Sequence, residues 1–270
     1  MEQFRDKVVW ITGASAGIGE AFAMAAAKQG AKLILSARRV NELERVAKNC
    51  DLPAESFLIL PMDMTESAEY AAMAKKVFLR FGSIDYLFNN AGVSSRALAL
   101  ETPIDVDVRI MNINYFGSIA LSKAVLPYMI KQNSGHLIIT SSVSGRFSTP
   151  MRSAYAASKH ALHGFYNALR AEVYNNNIGV TILCPGYIRT DISVNALTAS
   201  GQKFNKMSIK QANGMDPEVF TRKVFRAVKK RRQQALFGGT ELMGVYLSKF
   251  APGLLTRILR KMQDKDSFTQ

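Results

Sequence analysis

Tyr155 and Lys159 stand four residues apart in "YAASK", at the start of a stretch with helical spacing, so their side chains share one helix face. A free tyrosine titrates near pH ~10 and is a poor acid–base group at neutrality. An ammonium beside it favours the phenolate and lowers that value by roughly 1–3 units. Upstream, Ser141-Ser142 close an apolar run. A serine hydroxyl there can bond a carbonyl oxygen while the tyrosine delivers a proton to it. Taken alone, a Tyr–Lys pair is an ordinary solvated helix face. Joined to a serine at a strand end, it suits proton transfer at a carbonyl or alcohol.

A second group of residues suits a dinucleotide. "TGASAGIG", Thr12 to Gly19, follows the first apolar run and opens a helix. Gly13, Gly17 and Gly19 let the backbone of this turn, with Ser15, Ala16 and Ile18, approach a pyrophosphate whose charge faces the helix N-terminus. "NNAG" closes the fourth apolar run, and the small side chains around Asn90, Ala91 and Gly92 would let a cofactor lie across the strand ends. "MDM" closes the third run. There Asp63, next to Met64, either accepts a bond from an adenine amino group or caps the following helix. The second run ends in Ser36-Ala37-Arg38-Arg39, where a chain that binds NAD usually carries an acid for the adenosine ribose.

The elements that must hold these residues alternate. Apolar runs over 7–12, 32–37, 57–62, 84–88, 136–140 and 180–183 are separated by helical patterns over 18–29, 40–48, 67–80, 104–132 and 154–176. This is the pattern of parallel βαβ units, and the unbroken apolar runs fit strands covered on both faces. A further helix is expected over 217–232 and a seventh strand at 235–239. The polar stretch 191–215 reads as a mobile segment over a site. With no repeat and no convincing linker, 1–270 reads as one domain with a core over 5–195.

Composition narrows the setting. The 270 residues are 48% apolar, with a net charge of +14, of which +10 falls after residue 200. Cys50 and Cys184 are too few for a disulfide framework and read as packing residues, so a reducing, cytoplasmic setting is expected. The charged opening "MEQFRDKVVWITG" leaves no room for a leader, and no uncharged run approaches the ~20 residues that span a bilayer. His136, His160 and His163 lack metal-ligand spacing, so no metal is expected. No aromatics interleave with the "KKRR" of 229–232 as a single-strand nucleic-acid platform requires, so no nucleic-acid partner is expected.

Taken in order, TGASAGIG, NNAG, Asn114 in "MNINYFG", Ser142, YAASK and "PGYIRT" at 185–190 resemble the short-chain dehydrogenase/reductase family. The resemblance implies an α/β, Rossmann-like, doubly wound seven-stranded parallel sheet with helices on both faces. It implies a tetrad of Asn114, Ser142, Tyr155 and Lys159. Tyr155 would be the general acid in reduction and the base in oxidation. Lys159 would lower its pKa and bond the nicotinamide ribose, Ser142 would orient the carbonyl, and Asn114 would hold a water in a proton relay. Ser141 is the weaker serine by spacing. Pro185, Gly186, Ile188 and Thr190 would lie against the nicotinamide. In this family a small residue followed by Arg at the second strand end marks NADP(H) users. Here that is Ala37 then Arg38, with Arg39 sharing the phosphate or starting the helix, because guanidinium binds a 2′-phosphate that a carboxylate would repel. The expected activity is NADP(H)-dependent interconversion of a carbonyl and an alcohol. A catalytically silent NADP(H)-binding regulator is the alternative, and the complete tetrad argues against it.

The substrate is read from apolar residues near the site: Phe147, Met151, Tyr187, Leu197, Phe204 and Met207. They favour a lipophilic small molecule, steroid-, retinoid- or lipid-like, unless they simply pack on the sheet. The C-terminal extension over 240–270 resembles that of the 11β-hydroxysteroid dehydrogenase-like, lipid-acting branch. Leu254, Leu255, Ile258, Leu259 and Met262 form a stripe with Arg257, Arg260 and Lys261 beside it. Such a helix meets a membrane surface through 241–262, or packs on its own domain or a partner subunit. The family also implies a homodimer or homotetramer through the helices of 104–132 and 155–177.

Overall fold

The computed structural model describes residues 3–266. Seven strands form one parallel sheet: β1 (Val8–Thr12), β2 (Lys32–Ser36), β3 (Phe57–Ile59), β4 (Tyr86–Asn89), β5 (Gly135–Thr140), β6 (Ile178–Pro185) and β7 (Gln234–Phe237). Their order is β3-β2-β1-β4-β5-β6-β7. The chain therefore winds outward from β1 to β3, returns to β4 and winds the other way. The crevice beyond β1 and β4, where the order reverses, is where such sheets bind ligands.

Alternation along the strands sends side chains to two separate cores. Val9 and Ile11 face α1 (Gly17–Ala27), α2 (Val40–Asn49) and α8 (Pro217–Lys229). Val8 and Trp10 face α3 (Tyr70–Phe81), α5 (Gly117–Lys131) and α6 (Ser153–Glu172). The first core is aromatic, with Phe4, Phe22, Phe88 and Phe225 in tilted and edge-on pairs, an arrangement that ring quadrupoles favour. Cys184 is buried and Cys50 half-buried, and burial pushes their thiols up to about 12 and about 11. Both behave as packing residues.

Three elements depart from the sequence pattern. The expected helix over 104–132 divides into α4 (Ile104–Met111), a π-helical turn (Asn112–Phe116) and α5. The 57–62 run forms only the short strand β3, although the Leu60 and Met62 amides still bond the Leu35 and Ala37 carbonyls alongside β2. The 191–215 stretch has a definite path: Leu197 pairs with both Ser95 and Lys203, and a helical turn, α7, covers Ile209–Ala212. The C-terminal pattern becomes α9 (Leu242–Phe250) and α10 (Pro252–Asp266). Among the described residues no helix is long and apolar enough to cross a membrane.

His136 ties three central strands together. Its Nε2 lies 2.8 Å from Thr181 Oγ1 on β6, and its ring stacks 6.0 Å from Tyr86 on β4. Burial pulls its pKa from 6.5 down to about 3. The unfolded imidazole takes a proton below its ordinary value while the native one does not, so stability is lost as pH drops through that window. His136→Asn keeps a polar partner for Thr181 and removes this proton. Urea unfolding should show the variant losing about 2 kcal/mol less stability than the parent between pH 7 and about pH 5. Equal losses would mean that His136 does not titrate differently in the two states.

Candidate active site

The first turn of the cleft exists because two glycines adopt backbone angles that L side chains resist. Gly13 and Gly17 have φ of +66° and +59°. A Cβ at Gly13 would stand 3.0 Å from the Ala91 backbone, and one at Gly17 would stand 2.9 Å from the Thr190 methyl. The glycine loop is thus pressed between the end of β4 and the segment after β6. Thr12 fastens the loop: its hydroxyl accepts from the amides of Asn90 (3.0 Å) and Ala91 (3.1 Å) and faces the Phe88 carbonyl at 3.3 Å. Asn90 returns a bond from Nδ2 to the Thr12 carbonyl at 3.1 Å.

A cleft of about 430 Å³ runs across these strand ends. Gly13, Ser15, Ala16, Gly17, Ile18, Arg38, Arg39, Asp63, Met64, Asn90, Ala91, Gly92 and Thr190 line it, together with Ser36 and Ala37. The two arginines are differently placed. Arg39 starts α2 and donates to Ser15 Oγ at 3.2 Å. Arg38 has a side chain 68% exposed and sits 4.0 Å from Asp63 Oδ2. Asp63 does cap-like work, with Oδ1 accepting from the Thr65 amide (3.0 Å) and hydroxyl (2.9 Å). Burial pushes its carboxyl up, but these bonds and the Arg38 charge outweigh that and hold it below the usual value.

At the far end the strand β5 and helix α6 bring Ser142, Tyr155 and Lys159 together. Tyr155 is buried, with the Ser142 hydroxyl beside its phenol. Ser142 Oγ also accepts from the Ser144 amide at 3.0 Å and faces the Pro185 carbonyl at 3.4 Å. Ser141, by contrast, is spent inside, donating to the Lys159 carbonyl at 3.1 Å and meeting His163 Nε2 at 3.0 Å. Lys159 is 3% exposed, and its ammonium donates to the Thr140 carbonyl at 2.8 Å. Burial lowers its pKa to about 8.

One sequence expectation needs correction here. Lys159 was expected to bring Tyr155 down, but burial raises the phenol above its ordinary value. The groups pulling it back are the Ser142 hydroxyl and the Arg152 guanidinium, whose Cζ is 6.0 Å from the ring centroid. The side-chain amide of Asn114, the residue expected to hold a water, is taken up by protein partners. Oδ1 accepts from the Val93 amide at 2.8 Å, and Nδ2 donates to the Val93 carbonyl (2.9 Å) and Ser158 Oγ (3.0 Å). It braces the end of β4 against α6.

The segment after β6 is held from behind. The Gly186 amide donates to the Phe237 carbonyl at 2.6 Å, the Tyr187 amide to Glu241 Oε1 at 3.2 Å, and Gln211 Nε2 to the Ile188 carbonyl. The side chain of Ile188 is packed in the first core, so the contact expected with the nicotinamide falls to its backbone. The histidines are likewise committed: His160 Nδ1 meets the Ala156 carbonyl at 2.8 Å, His163 meets Ser141, and His136 meets Thr181. Sequence reading missed Arg152, Arg109, Lys203 and Glu241. Only Arg152, three residues before Tyr155, carried a signal in its spacing. Of the residues read as a substrate wall, Leu197 packs against Val106, Ile110 and Ala154, Phe147 against Gly244 of α9, and Phe204 under Arg96.

Comparison with known proteins agrees with this architecture. The family model for short chain dehydrogenases matches residues 7–200. A Drosophila melanogaster protein named dehydrogenase/reductase SDR family protein 7-like is 42% identical over 264 residues, which is 96% of this chain and 81% of that protein. The mouse dehydrogenase/reductase SDR family member 7B is 39% identical over 97% of this chain and 83% of its own length. A short chain dehydrogenase/reductase from Burkholderia phymatum, solved in complex with NAD, superposes with a TM-score of 0.81 at 27% identity, covering 92% of this chain and 94% of that one. With a glycine-loop cleft at the sheet's reversal point and a Ser–Tyr–Lys cluster at its end, this chain belongs to the short-chain dehydrogenase/reductase family.

Proposed function

We propose that the protein is an NADP(H)-dependent oxidoreductase that interconverts a carbonyl and an alcohol on a lipophilic small molecule. The observation that carries this is the cleft's two ends. One end holds Arg38, largely free, where NAD binders place an acid. Beside the other, next to Gly92, stand Lys159, Tyr155 and Ser142, with Lys159 Nζ 5.8 Å from the Tyr155 ring centroid. The cleft fits a dinucleotide: its glycine turn leaves no room for a Cβ, and the N-terminus of α1 faces it.

When bound, the nicotinamide would supply or accept a hydride. The chain's own residues then handle the proton and the orientation. Ser142, fixed by the Ser144 amide, holds the substrate oxygen beside Tyr155. The phenol, kept protonated by burial, donates its proton in the reducing direction. Lys159, held at Thr140 and next to the Gly92 backbone, bonds the ribose and returns a proton to the tyrosine. Asn114 keeps α6 in register with the end of β4 so that these groups meet.

Nicotinamide absorbance with a panel of steroid, retinal, long-chain and aromatic carbonyls tests the proposal. NADPH should support turnover and NADH should not, and Tyr155→Phe should abolish it. Arg38→Ala should weaken NADPH roughly tenfold or more and leave NADH nearly unchanged, as loss of a charge-assisted phosphate contact requires. Equal affinity of the parent for both cofactors would refute the NADP(H) preference. Tight NADPH binding without turnover on any carbonyl would favour the regulator reading.

The C-terminal helices support a peripheral membrane contact. Leu255 packs inward, but Leu254 and Ile258 face solvent, as do Met243 (61% exposed), Tyr246 and Phe250 (73% exposed) on α9. Lys249, Arg257, Arg260 and Lys261 lie among them, and that charge suits an anionic lipid surface. The side chain of Met262 lies outside the described residues. Exposed Ile104, Val108 and Phe116 support a homodimer or homotetramer through α4–α5 and α6. Co-sedimentation with phosphatidylserine vesicles should retain the parent and release Phe250→Ser/Ile258→Ser at low salt. Equal recovery of both in the supernatant would rule the contact out.

A further inference from the structure

The cleft holds more positive charge than the end of β2 supplies. Four cations line it, Arg38, Arg39, Arg109 and Lys203, against two carboxylates, Asp63 and Asp191. Arg109 projects from α4, and Lys203 lies just beyond the turn 198–202. Among the described residues neither is within ion-pair distance of a carboxylate.

Their position comes from a strap across the cleft. The strap leaves the glycine loop at Thr190, whose methyl covers Gly17. It is stitched to the segment after β4 by bonds from the Leu197 amide to the Ser94 carbonyl (2.9 Å) and from the Arg96 amide to the Leu197 carbonyl (2.8 Å). It then turns tightly, with the Thr198 amide donating to the Gln202 carbonyl at 2.9 Å and Gly201 at φ +72°. At the tip, Arg109 Nη1 reaches the Gly201 carbonyl at 3.4 Å, a long bond to a neutral acceptor. The strap thus runs from the glycine loop to α4 and leaves two cations on the cleft, neither of them in an ion pair, though the Arg109 charge is felt at Asp63. Positive potential converges on the cleft from both walls, which a polyanion relieves.

We propose that Arg109 and Lys203 are ligands for the phosphates of the dinucleotide, gripping them from the wall opposite the glycine loop, with Arg109 exchanging the Gly201 carbonyl for a phosphate oxygen. This rests on the dinucleotide reading of the cleft.

Equilibrium titration of the full chain with NADPH and with NADH, read by nicotinamide fluorescence, tests it. Arg109→Gln and Lys203→Gln should each weaken binding roughly fivefold, the scale of a part-exposed ion pair, and Arg109→Lys should recover part of the loss. Added salt should weaken the parent more than either Gln variant. Loss toward both nucleotides places the cations on the diphosphate. Loss toward NADPH alone places them on the 2′-phosphate, and either result upholds the clamp. Gln variants that melt like the parent and bind both nucleotides as tightly as it does overturn it. A parent that binds neither nucleotide overturns the cofactor reading itself, a result visible before any variant is made.

Discussion

Everything at this site hangs on one hydroxyl. Thr12 ends β1 where the sheet reverses direction, and its oxygen serves two amides and one carbonyl of the neighbouring β4 end. Parallel strands have no turn to join them, so their ends would otherwise part independently. Here the loops after β1 and β4 leave together from a shared buried atom. A buried amide left without its acceptor costs about 1–3 kcal/mol, so separating the loops would forfeit two such bonds at once. The floor of the cleft and the glycine turn are therefore one rigid unit, against which the segment after β6 presses from above.

The charge arrangement at the other end comes from burial. An ammonium taken out of water is costly unless it has acceptors, and Lys159 has the Thr140 carbonyl. The same burial that lowers the lysine raises the tyrosine, so both side chains are driven toward their neutral forms. Ser142 and Arg152 act against that drift on the tyrosine. Tyr155 thus sits in a balance of burial, the Ser142 hydroxyl and two cations, Arg152 and Lys159, which lie 6.0 and 5.8 Å from its ring centroid.

Much of this was legible in the chain before the fold was known. Alternating apolar runs and helical spacings disclose a parallel sheet, because only strands covered on both faces read that way. The glycine turn, Arg38 and the YAASK group could be placed because each sits at a strand or helix end, where spacing determines direction. Ile188 could not, since whether a residue after a strand points to the cleft or to the core depends on how the next segment is tied down. Arg109 looked like an ordinary surface charge on an amphipathic helix, and Lys203 lay in a stretch without periodicity. Their meaning comes only from the strap's pairing with Ser95, a contact across more than a hundred residues. For Asn114 the position was visible, but its side-chain partners were not.

The π-helical turn at Asn112–Phe116 has a consequence for the molecule's phase. An extra residue in a helix rotates the downstream turns by about 100° relative to the upstream ones. Upstream, Val106 and Ile110 of α4 face the small cluster beneath the strap; downstream, Leu121, Val125 and Met129 of α5 face the sheet. One rod thus addresses two surfaces that an unbroken helix would align differently, and Asn114 lies at the joint. Removing one residue here would give a more regular helix and dephase the two surfaces it must serve together.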